Sequence, residues 1–414
     1  MSFFNPRHVL AAPPVLVSKL TDLLKSQPLE RLTLDFERLV ELEQARLVAE
    51  AQPPIAYDAR LAMASAAFRH LPTAGIVERT LRDAIRAGWQ PSAGTPGALS
   101  VLDFGAGTGA GSWGVHGAFP QCALESTLID PSLPMIKTAT HLSSDVFDTH
   151  WARNLVHLAR GLKTRAEAAR FDVVVASFAL SELPSDDARA LASSLLWDAV
   201  AVGGLLLIVE GHGPHGARIV RRAREELIAG STSHSLLAGP APAAGLHVVA
   251  PCGHNKPCPL RNAKVQNSSG AVNQNPFCFF QQHTERLIAP SSTGNPENRH
   301  VTSFSYVAMA KTPAAREARA DAAEHHRVLR PPDKRKGHVY LDLCVDGEVQ
   351  RKVVMRRQRE LYKQARHAFW GASWPPPAGN VAAAVSSGDG VSAEAASGDG
   401  GDGGDDDDDD DKED

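Results

Sequence analysis

A glycine-rich turn that follows directly on an apolar run is the feature that most constrains the fold of this 414-residue chain. In "SVLDFGAGTGAG" the apolar run at 100–104 leads into Gly105, Gly107 and Gly109. Glycines let the backbone turn sharply into a helix and approach a ligand closely. The motif therefore predicts a strand, a ligand-binding turn and a helix. No Lys-Ser/Thr pair follows the glycines, which argues against a loop that holds a triphosphate.

Further apolar runs follow at intervals that suit alternating strands and helices. The segments that we interpret as buried strands are 125–130, 171–180, 203–211, 246–251 and 303–311. Helix-like stretches at 186–200 and 217–227 separate some of them. Strands that alternate with helices are typical of a parallel sheet covered on both faces. The sequence therefore predicts an α/β fold of the Rossmann-like kind.

The regions on either side of this core have different patterns. Leucine, phenylalanine and valine recur at helical spacing in 14–50, and a second helical stretch spans 61–87. Asp346-Gly347 predicts the turn of a β-hairpin over 338–355, and a basic helix follows it. We expect an N-terminal helical region, a core, a cysteine-containing basic extension and a disordered acidic tail. Their predicted bounds are 1–94, 95–250, 251–374 and 375–414.

Charge is distributed very unevenly along the chain. The overall net charge is -4, but the segment from Asp389 onward has 13 acidic residues and one lysine. The preceding 388 residues therefore hold 42 Lys+Arg against 34 Asp+Glu, a net charge of +8. A basic body favours a polyanionic partner such as RNA. Basic side chains cluster at 218–224 and, more densely, at 351–366. We expect RNA contact chiefly from the second cluster.

Four of the five cysteines lie after the predicted core and are candidate metal ligands. Their spacing is C-x5-C-x19-C-x65-C, and the loop "APCGHNKPCPL" contains the first two. Zinc ribbons prefer closer cysteine pairs, and four thiolates suit either zinc or an iron–sulfur cluster. His254 and His283 are possible substitutes if one cysteine is not a ligand. The fifth cysteine, Cys122, is expected to be structural.

The pattern D-x-G-x-G-x-G resembles the first motif of class I S-adenosylmethionine methyltransferases. By this resemblance Asp103, Gly105, Gly107 and Gly109 line the cofactor cleft, and Asp130, at the end of the next strand, binds the ribose. The segment "SFALSELP" lacks the acceptor motifs of amino-methyltransferases and of RNA cytosine methyltransferases. No catalytic base is identified, so enzymatic activity stays open.

The order of five segments resembles one family over about 57–374. The segments are "VLDFGAGTGAGSW", "ASFALSELP", "LLLIVEGHGPHGARIVRRARE", "APCGHNKPCPL" and "HVYLDLCVDGEVQRK". The family is the methyltransferase-like family of the mitochondrial small ribosomal subunit, which has bacterial relatives. The resemblance implies an assembly or translation factor that contacts rRNA and ribosomal proteins. It also implies a 4Fe–4S cluster on Cys252, Cys258, Cys278 and Cys344.

Several further expectations accompany this resemblance. The cofactors are S-adenosylmethionine and the 4Fe–4S cluster, and the location is the mitochondrial matrix, or the cytoplasm in a bacterium. No run of about 18 apolar residues is present, so no membrane span is expected. We expect no stable homo-oligomer. The alternative function is a catalytically active rRNA methyltransferase that uses S-adenosylmethionine.

Overall fold

The computed structural model describes most of the chain before the acidic tail. The described residues are 9–48, 54–91, 97–152, 154, 156, 170–230, 245–261, 265–266, 272–273, 277–288, 299–312 and 326–375. Helices in these ranges are α1 (Pro14–Leu24), α2 (Leu29–Val48), α3 (Ala59–Phe68), α4 (His70–Arg86), α5 (Ala110–Ala118), α6 (Leu133–Ser143), α7 (Asp186–Ala199), α8 (Pro214–Ile228) and α9 (Arg359–His367).

The strands form one large sheet, one smaller sheet and a short pair. They are β1 (Val9–Leu10), β2 (Ala98–Phe104), β3 (Ala123–Ile129), β4 (Asp148–Ala152), β5 (Phe171–Ser177), β6 (Val200–Gly211), β7 (Gly245–Ala250), β8 (Val265–Gln266), β9 (Val272–Asn273), β10 (Phe280–Glu285), β11 (Arg299–Thr312), β12 (His326–Val328), β13 (Asp333–Arg335), β14 (His338–Val345), β15 (Glu348–Met355) and β16 (Ser373–Trp374).

The strand order of the large sheet confirms the predicted fold class. The order is β1-β10-β11-β6-β5-β2-β3-β4, and β7 also pairs with β11. Strands β2 to β6 are mutually parallel where they pair, whereas β11 runs antiparallel to β6, β7 and β10. A mostly parallel sheet that grows outward from β2 in both directions, with helices on its faces, is the doubly wound arrangement of α/β folds. The sheet is therefore Rossmann-like.

Helices cover both faces of this sheet and bury its apolar runs. In β6, Leu205 and Leu207 pack with α4 and α5, whereas Leu206 and Ile208 pack with α7 and α8. Successive strand residues point to opposite faces, so an uninterrupted apolar run must be buried on both. This explains why the central strands lack polar alternation.

The predicted helical stretch 61–87 is two helices, with Arg69 between α3 and α4. Pro72 has no N–H with which to bond the carbonyl four residues earlier, and its ring disfavours a continuous helix. Asp58 caps α3 by accepting a hydrogen bond from the Leu61 N–H at 2.9 Å.

The C-terminal sheet contains the hairpin predicted from Asp346-Gly347. Strands β14 and β15 pair from His338↔Met355 to Val345↔Glu348. Both turn residues have positive φ, 47° at Asp346 and 85° at Gly347, as a two-residue hairpin turn requires. The sheet packs on α9 through an apolar cluster that includes Val354 and Ala365.

Two strands of the large sheet were not predicted from the sequence. They are β10, whose residues are mostly polar, and the exposed edge strand β4.

Residues from 376 onward, which belong to the predicted tail, lie outside the described residues, and the proposed division into four regions stays a prediction. Within the described residues, no helix has the length and apolar character needed to cross a membrane.

Candidate functional site

The glycine turn between β2 and α5 is a tight loop with three left-handed residues. Gly105, Gly107 and Gly109 have φ of 65°, 53° and 85°. A Cβ on Gly105 would lie 2.4 Å from the Cβ of Ala179, so β2 and the end of β5 approach closely there. A Cβ on Gly107 would meet only the Gly105 carbonyl oxygen, at 4.0 Å. The surface above Gly107 is therefore open, as a cofactor cleft requires.

The two predicted acidic residues have different positions. Asp103 is fully buried behind the loop, where its Oδ2 accepts hydrogen bonds from the N–H and Oγ of Ser112 at 2.8 and 3.0 Å. Burial raises the pKa of Asp103 to about 6. Asp130 accepts hydrogen bonds from the Gly107 N–H at 2.9 Å and the Ser132 N–H at 2.8 Å. Asp103 therefore stabilises the start of α5 behind the loop, and Asp130 stabilises the loop itself through the Gly107 N–H.

The opposite wall of the cleft is the short 3-10 helix Leu180–Glu182 after β5. Buried Glu210 holds this turn by accepting hydrogen bonds from the N–H groups of Leu180 at 2.8 Å and Ser181 at 3.2 Å. Burial raises the pKa of Glu210 to about 7. Phe178, just before the turn, has φ of 58°, a conformation that is strained for a residue with a Cβ.

Two aromatic residues at this cleft were not identified from the sequence. The Tyr57 hydroxyl donates to Glu182 Oε1 at 3.0 Å, and the Tyr57 carbonyl accepts from Ser132 Oγ at 3.1 Å. Tyr57 thus bridges the loop after β3 and the loop after β5. The Trp151 Nε1–H donates to the carbonyl of Asp130 at 3.2 Å. Neither residue belongs to a recognisable motif, because each reaches the cleft from a distant segment.

The cysteines converge on one pocket between the large sheet and the C-terminal sheet. Cys344, on β14, is buried with Leu260 and Leu329. The other three predicted ligands pack on the same cluster; they are Cys252, Cys258 and Cys278. Cys122 does not belong to this cluster and packs against the apolar cluster formed with α4 and α5. Spacing alone did not predict this convergence, because 65 residues separate Cys278 from Cys344, and only the family resemblance implied it.

The pocket also contains His254. Ligand atoms of Cys252, His254 and Cys344 lie within 4.8 Å of one another, and His254 Nε2 is 3.4 Å from Cys344 Sγ. The Gly347 N–H, from the hairpin turn, donates to the same Nε2 at 3.1 Å. His283, the other substitute considered above, lies on β10 and pairs in register with Val9 and Val301.

The thiols compete for ionisation. A hydrogen bond from Cys344 holds the pKa of Cys252 well below its ordinary value, and the same bond raises the pKa of Cys344. Burial, followed by the charges of Cys252 and Cys258, raises the pKa of Cys278. Each thiolate in the pocket therefore makes ionisation of the neighbouring thiols less favourable. A cation bound among them would remove this opposition, because metals bind thiols in the deprotonated form.

Two arginines hold the loop that carries Cys252 and Cys258. Arg327 donates from Nε to the Pro251 carbonyl at 2.8 Å. Buried Arg224 donates from Nη2 to the carbonyls of His254 and Lys256, both at 2.7 Å. Among the described residues, the buried Nη1 of Arg224 has no hydrogen-bond partner. A buried cationic donor beside several thiols fits an anionic metal centre.

The basic segments have different surroundings. In α8, Arg224 is buried and Arg222 pairs with Asp186 and Glu226. These two cations therefore make contacts within the protein. In the second segment, Arg351 pairs with Asp342 at 2.8 Å. The remaining cationic side chains there are exposed; they are Lys352, Arg356, Arg357, Arg359, Lys363 and Arg366. The second segment is the more accessible basic surface.

Comparison with protein families decides the relationship of the chain. A family model described as "Mitochondrial small ribosomal subunit Rsm22" matches residues 62–375. The chain belongs to the Rsm22 family. The match includes the glycine turn, all four clustered cysteines and the basic hairpin and helix. The family resemblance predicted from the five sequence segments is therefore confirmed.

Two named relatives are similar to the chain over about two thirds of its length. The human ribosome assembly protein METTL17, mitochondrial, is 29% identical over 279 residues, which are 67% of this chain and 55% of the relative. The Rsm22-cox11 tandem protein 2, mitochondrial, of Schizosaccharomyces pombe is 27% identical over 303 residues, 66% of this chain and 38% of the relative. The chain thus spans about half or less of the length of these relatives.

Solved methyltransferases also resemble the chain, at low similarity. Magnesium protoporphyrin IX methyltransferase from Synechocystis, solved with bound SAM, is 15% identical, with a TM-score of 0.27. The match covers 49% of this chain and 87% of that one. The strand order described above supports the fold class independently of this likeness.

Glu182 provides a pH test of the cleft. Burial raises the pKa of Glu182 from 4.5 to about 7, so the folded protein should lose stability as pH rises from about 5 to 8. Glu182→Gln keeps an acceptor for Tyr57 and removes this loss. Between about pH 5 and 8, the free energy of unfolding should decrease in both proteins. We expect the decrease to be smaller in Glu182→Gln, by about 1 to 2 kcal/mol.

The measurement is urea unfolding at several pH values. Glu125→Gln, which replaces an exposed glutamate of β3, is the control and should keep the wild-type pH dependence. A Glu182→Gln profile parallel to that of the wild type would contradict the assignment of a raised pKa to this carboxyl group.

Proposed function

We propose that this protein is an assembly factor for the mitochondrial small ribosomal subunit that binds S-adenosylmethionine, a 4Fe–4S cluster and rRNA. The observation that carries the proposal is the convergence of four cysteines beside a methyltransferase-type cleft in a chain of the Rsm22 family. The name of the human relative supports the assembly role, and the relatives' names support the mitochondrial location, with the matrix as the proposed compartment. The proposed partners are small-subunit rRNA and ribosomal proteins.

The proposed cluster ligands are Cys252, Cys258, Cys278 and Cys344. Through these residues a bound cluster would join the segments next to β7 and β10 to β14, and it would remove the competition among the thiolates. Zinc is the competing metal, with Cys252, His254, Cys344 and one further cysteine as ligands. Four-coordinate zinc accepts such a mixed set. The two metals therefore predict different contributions from His254.

Cys258→Ser tests the iron–sulfur assignment. The variant should lose most of its bound iron and sulfide, because serine replaces one thiolate ligand. Its C-terminal sheet should also become sensitive to limited proteolysis, because the link through the metal closes a long loop. The measurements are iron, sulfide and zinc analysis of full-length protein purified without oxygen, together with its visible absorption spectrum.

Cys122→Ser and His254→Gln serve as controls for this experiment. Cys122→Ser should keep wild-type iron, since Cys122 lies outside the pocket. His254→Gln should keep the iron if four cysteines hold the cluster. Stoichiometric zinc that disappears in His254→Gln would establish the zinc site in its place.

The cleft at Gly107 suits S-adenosylmethionine. The carboxylate of Asp130 is proposed to accept hydrogen bonds from the ribose hydroxyls while it keeps the glycine loop in place. The open surface above Gly107 leaves room for the methionine portion. A bound S-adenosylmethionine would supply an activated methyl group, but no described side chain is assigned as the base that would prepare an acceptor.

Asp130→Asn tests the cofactor proposal. The amide has one carbonyl oxygen where the carboxylate has two, so it cannot accept from both the loop and the ribose as the carboxylate does. We expect about tenfold weaker binding of S-adenosylmethionine by calorimetry, equal to about 1.4 kcal/mol. Asp148→Asn, on the exposed strand β4, should bind with wild-type affinity.

Methyl transfer from labelled S-adenosylmethionine to small-subunit rRNA separates the two candidate functions. Incorporation that Asp130→Asn reduces would favour the active methyltransferase. Cofactor binding without incorporation would favour the assembly factor in which the cleft has a structural or regulatory use. Absence of cofactor binding to the wild type would contradict both.

The exposed cations around α9 are proposed to contact rRNA phosphates. Replacing Arg356, Arg357 and Arg359 with glutamine should weaken binding to a small-subunit rRNA transcript about tenfold or more, and should lower the slope of log affinity against log salt by about 2. The measurement is filter binding at several salt concentrations. The control replaces three exposed cations far from α9 in the sequence, Lys25 after α1 and Arg31 and Arg38 on α2, and should change neither quantity.

A further inference from the structure

Four aromatic side chains form a separate cluster just beyond the end of β6 and the start of β10. The ring centroids of Phe279 and Trp370 are 4.1 Å apart, and those of Phe279 and His212 are 4.9 Å apart. Phe277 lies 5.8 Å from His212 and 5.9 Å from Phe279. We call these four residues the aromatic cluster. Three distant segments contribute to it, so the sequence gives no sign of it.

The aromatic cluster lies between the two sites described above. His212 is two residues beyond Glu210, whose carboxylate holds the turn that forms one wall of the cofactor cleft. Phe277 and Phe279 are the neighbours of Cys278 in the sequence, on either side of that proposed ligand. In parallel α/β sheets, ligands bind outside the carboxyl ends of the strands. The cluster therefore occupies the edge where an acceptor would be received.

These rings are incompletely buried. His212 is exposed, and Phe277, Phe279 and Trp370 are half-buried. The three apolar rings are absent from the buried apolar clusters found among the described residues. Exposed aromatic surface costs free energy that a stacking partner would recover.

The backbone beneath the rings is firmly held. Ser305 Oγ donates to the Cys278 carbonyl at 2.8 Å, and Arg327 Nη1 donates to the Gly371 carbonyl at 2.8 Å. Gly371 has φ of 81°, and a Cβ there would lie 2.5 Å from the ring of Phe280. The rings are therefore presented on a rigid support, so little conformational entropy would be lost when a ligand stacks on them.

The polar groups around the rings indicate the type of ligand. The buried Nε1–H of Trp370 has no acceptor among the described residues. Arg366 and His367, four and three residues before Trp370 on α9, are exposed. A ligand that offers a flat ring, a hydrogen-bond acceptor at its edge and negative charge nearby would satisfy all three features. An unpaired nucleotide of RNA has this combination.

We propose that the aromatic cluster is a stacking site for an unpaired base of RNA. The proposal rests on the RNA-binding function proposed above and adds the part of the RNA that is recognised. The base would stack on the rings, its edge would accept from Trp370, and its phosphates would lie toward the cations of α9. A simple apolar cover over the metal pocket is the competing role, and it makes different predictions.

The test compares single-stranded and duplex RNA. The probes are a fluorescein-labelled 12-nucleotide oligoadenylate and a blunt 12-base-pair RNA duplex, measured by fluorescence anisotropy with full-length protein. Phe279→Leu should bind the single strand about tenfold more weakly, because stacking on an aromatic ring is worth about 1 to 3 kcal/mol per base. Its affinity for the duplex should change less than about twofold, because paired bases cannot stack on the rings.

Tryptophan variants provide a second readout. Trp370→Phe keeps a ring and removes the unpaired donor, so it should weaken single-strand binding and abolish part of the tryptophan quenching by oligoadenylate. Trp197→Phe is the control: Trp197 is on α7, where its ring faces Lys311, away from the cluster. This variant should bind both probes as the wild type does.

The outcomes separate the two proposals. If single-strand affinity is unchanged in Phe279→Leu while the wild type binds RNA and the metal is lost faster in air, the cluster is a cover and the stacking proposal is overturned. The RNA-binding function would then stand. If the wild type binds neither probe nor the rRNA transcript, both proposals fail. If Phe279→Leu loses only binding to isolated ribosomal proteins, the partner is protein and the stacking proposal is overturned.

Discussion

Four thiols gather in a pocket where the large sheet and the C-terminal sheet meet. Cys252 and Cys278 adjoin strands of the large sheet, whereas Cys344 lies within β14 of the C-terminal sheet. A shared metal would stabilise these buried thiols more than packing does. Without a cation, each ionised sulfur makes ionisation of the next one less favourable. The position of the C-terminal sheet is therefore linked to the chemistry of this pocket. The arginines that bind the cysteine loop strengthen the same link.

The proposed cofactor cleft has the geometry of the fold class, but this geometry does not establish an enzymatic activity. Glycine conformations, the hydrogen bonds of Asp130 and the turn held by Glu210 shape the surface at which we propose that a nucleoside binds. These same contacts also stabilise the loops around the cleft, so they would persist in a protein that had lost methyl transfer. Fold alone does not specify function, and groups that act on an acceptor are needed for catalysis. Tyr57 connects the N-terminal region to this cleft and makes it more enclosed than the core motifs alone would.

The proposed RNA contacts combine two kinds of recognition. Exposed cations around α9 provide attraction that does not depend on base sequence, and that attraction weakens with salt. The aromatic cluster would add a preference for unpaired bases, because only a base outside a helix can stack on a side chain. The cations of α9 and Trp370 follow β14, the strand that carries Cys344, whereas Phe277 and Phe279 lie on either side of Cys278 in the sequence.

The sequence by itself determined the fold class, the glycine turn, the hairpin turn at Asp346-Gly347 and the identity of the metal-ligand candidates. Each of these depends on local rules of backbone conformation, apolar periodicity or residue chemistry, which short segments contain. Tertiary structure alone decided that His254 lies with Cys252 and Cys344, that Arg224 turns inward and that Phe277, Phe279 and Trp370 join His212. The contact between Phe279 and Trp370 joins residues 91 positions apart, and no local pattern specifies it. The ring contacts arise because Phe304 of β11 pairs with both Gly211 and Phe280, which places the end of β6 at the same level as the start of β10.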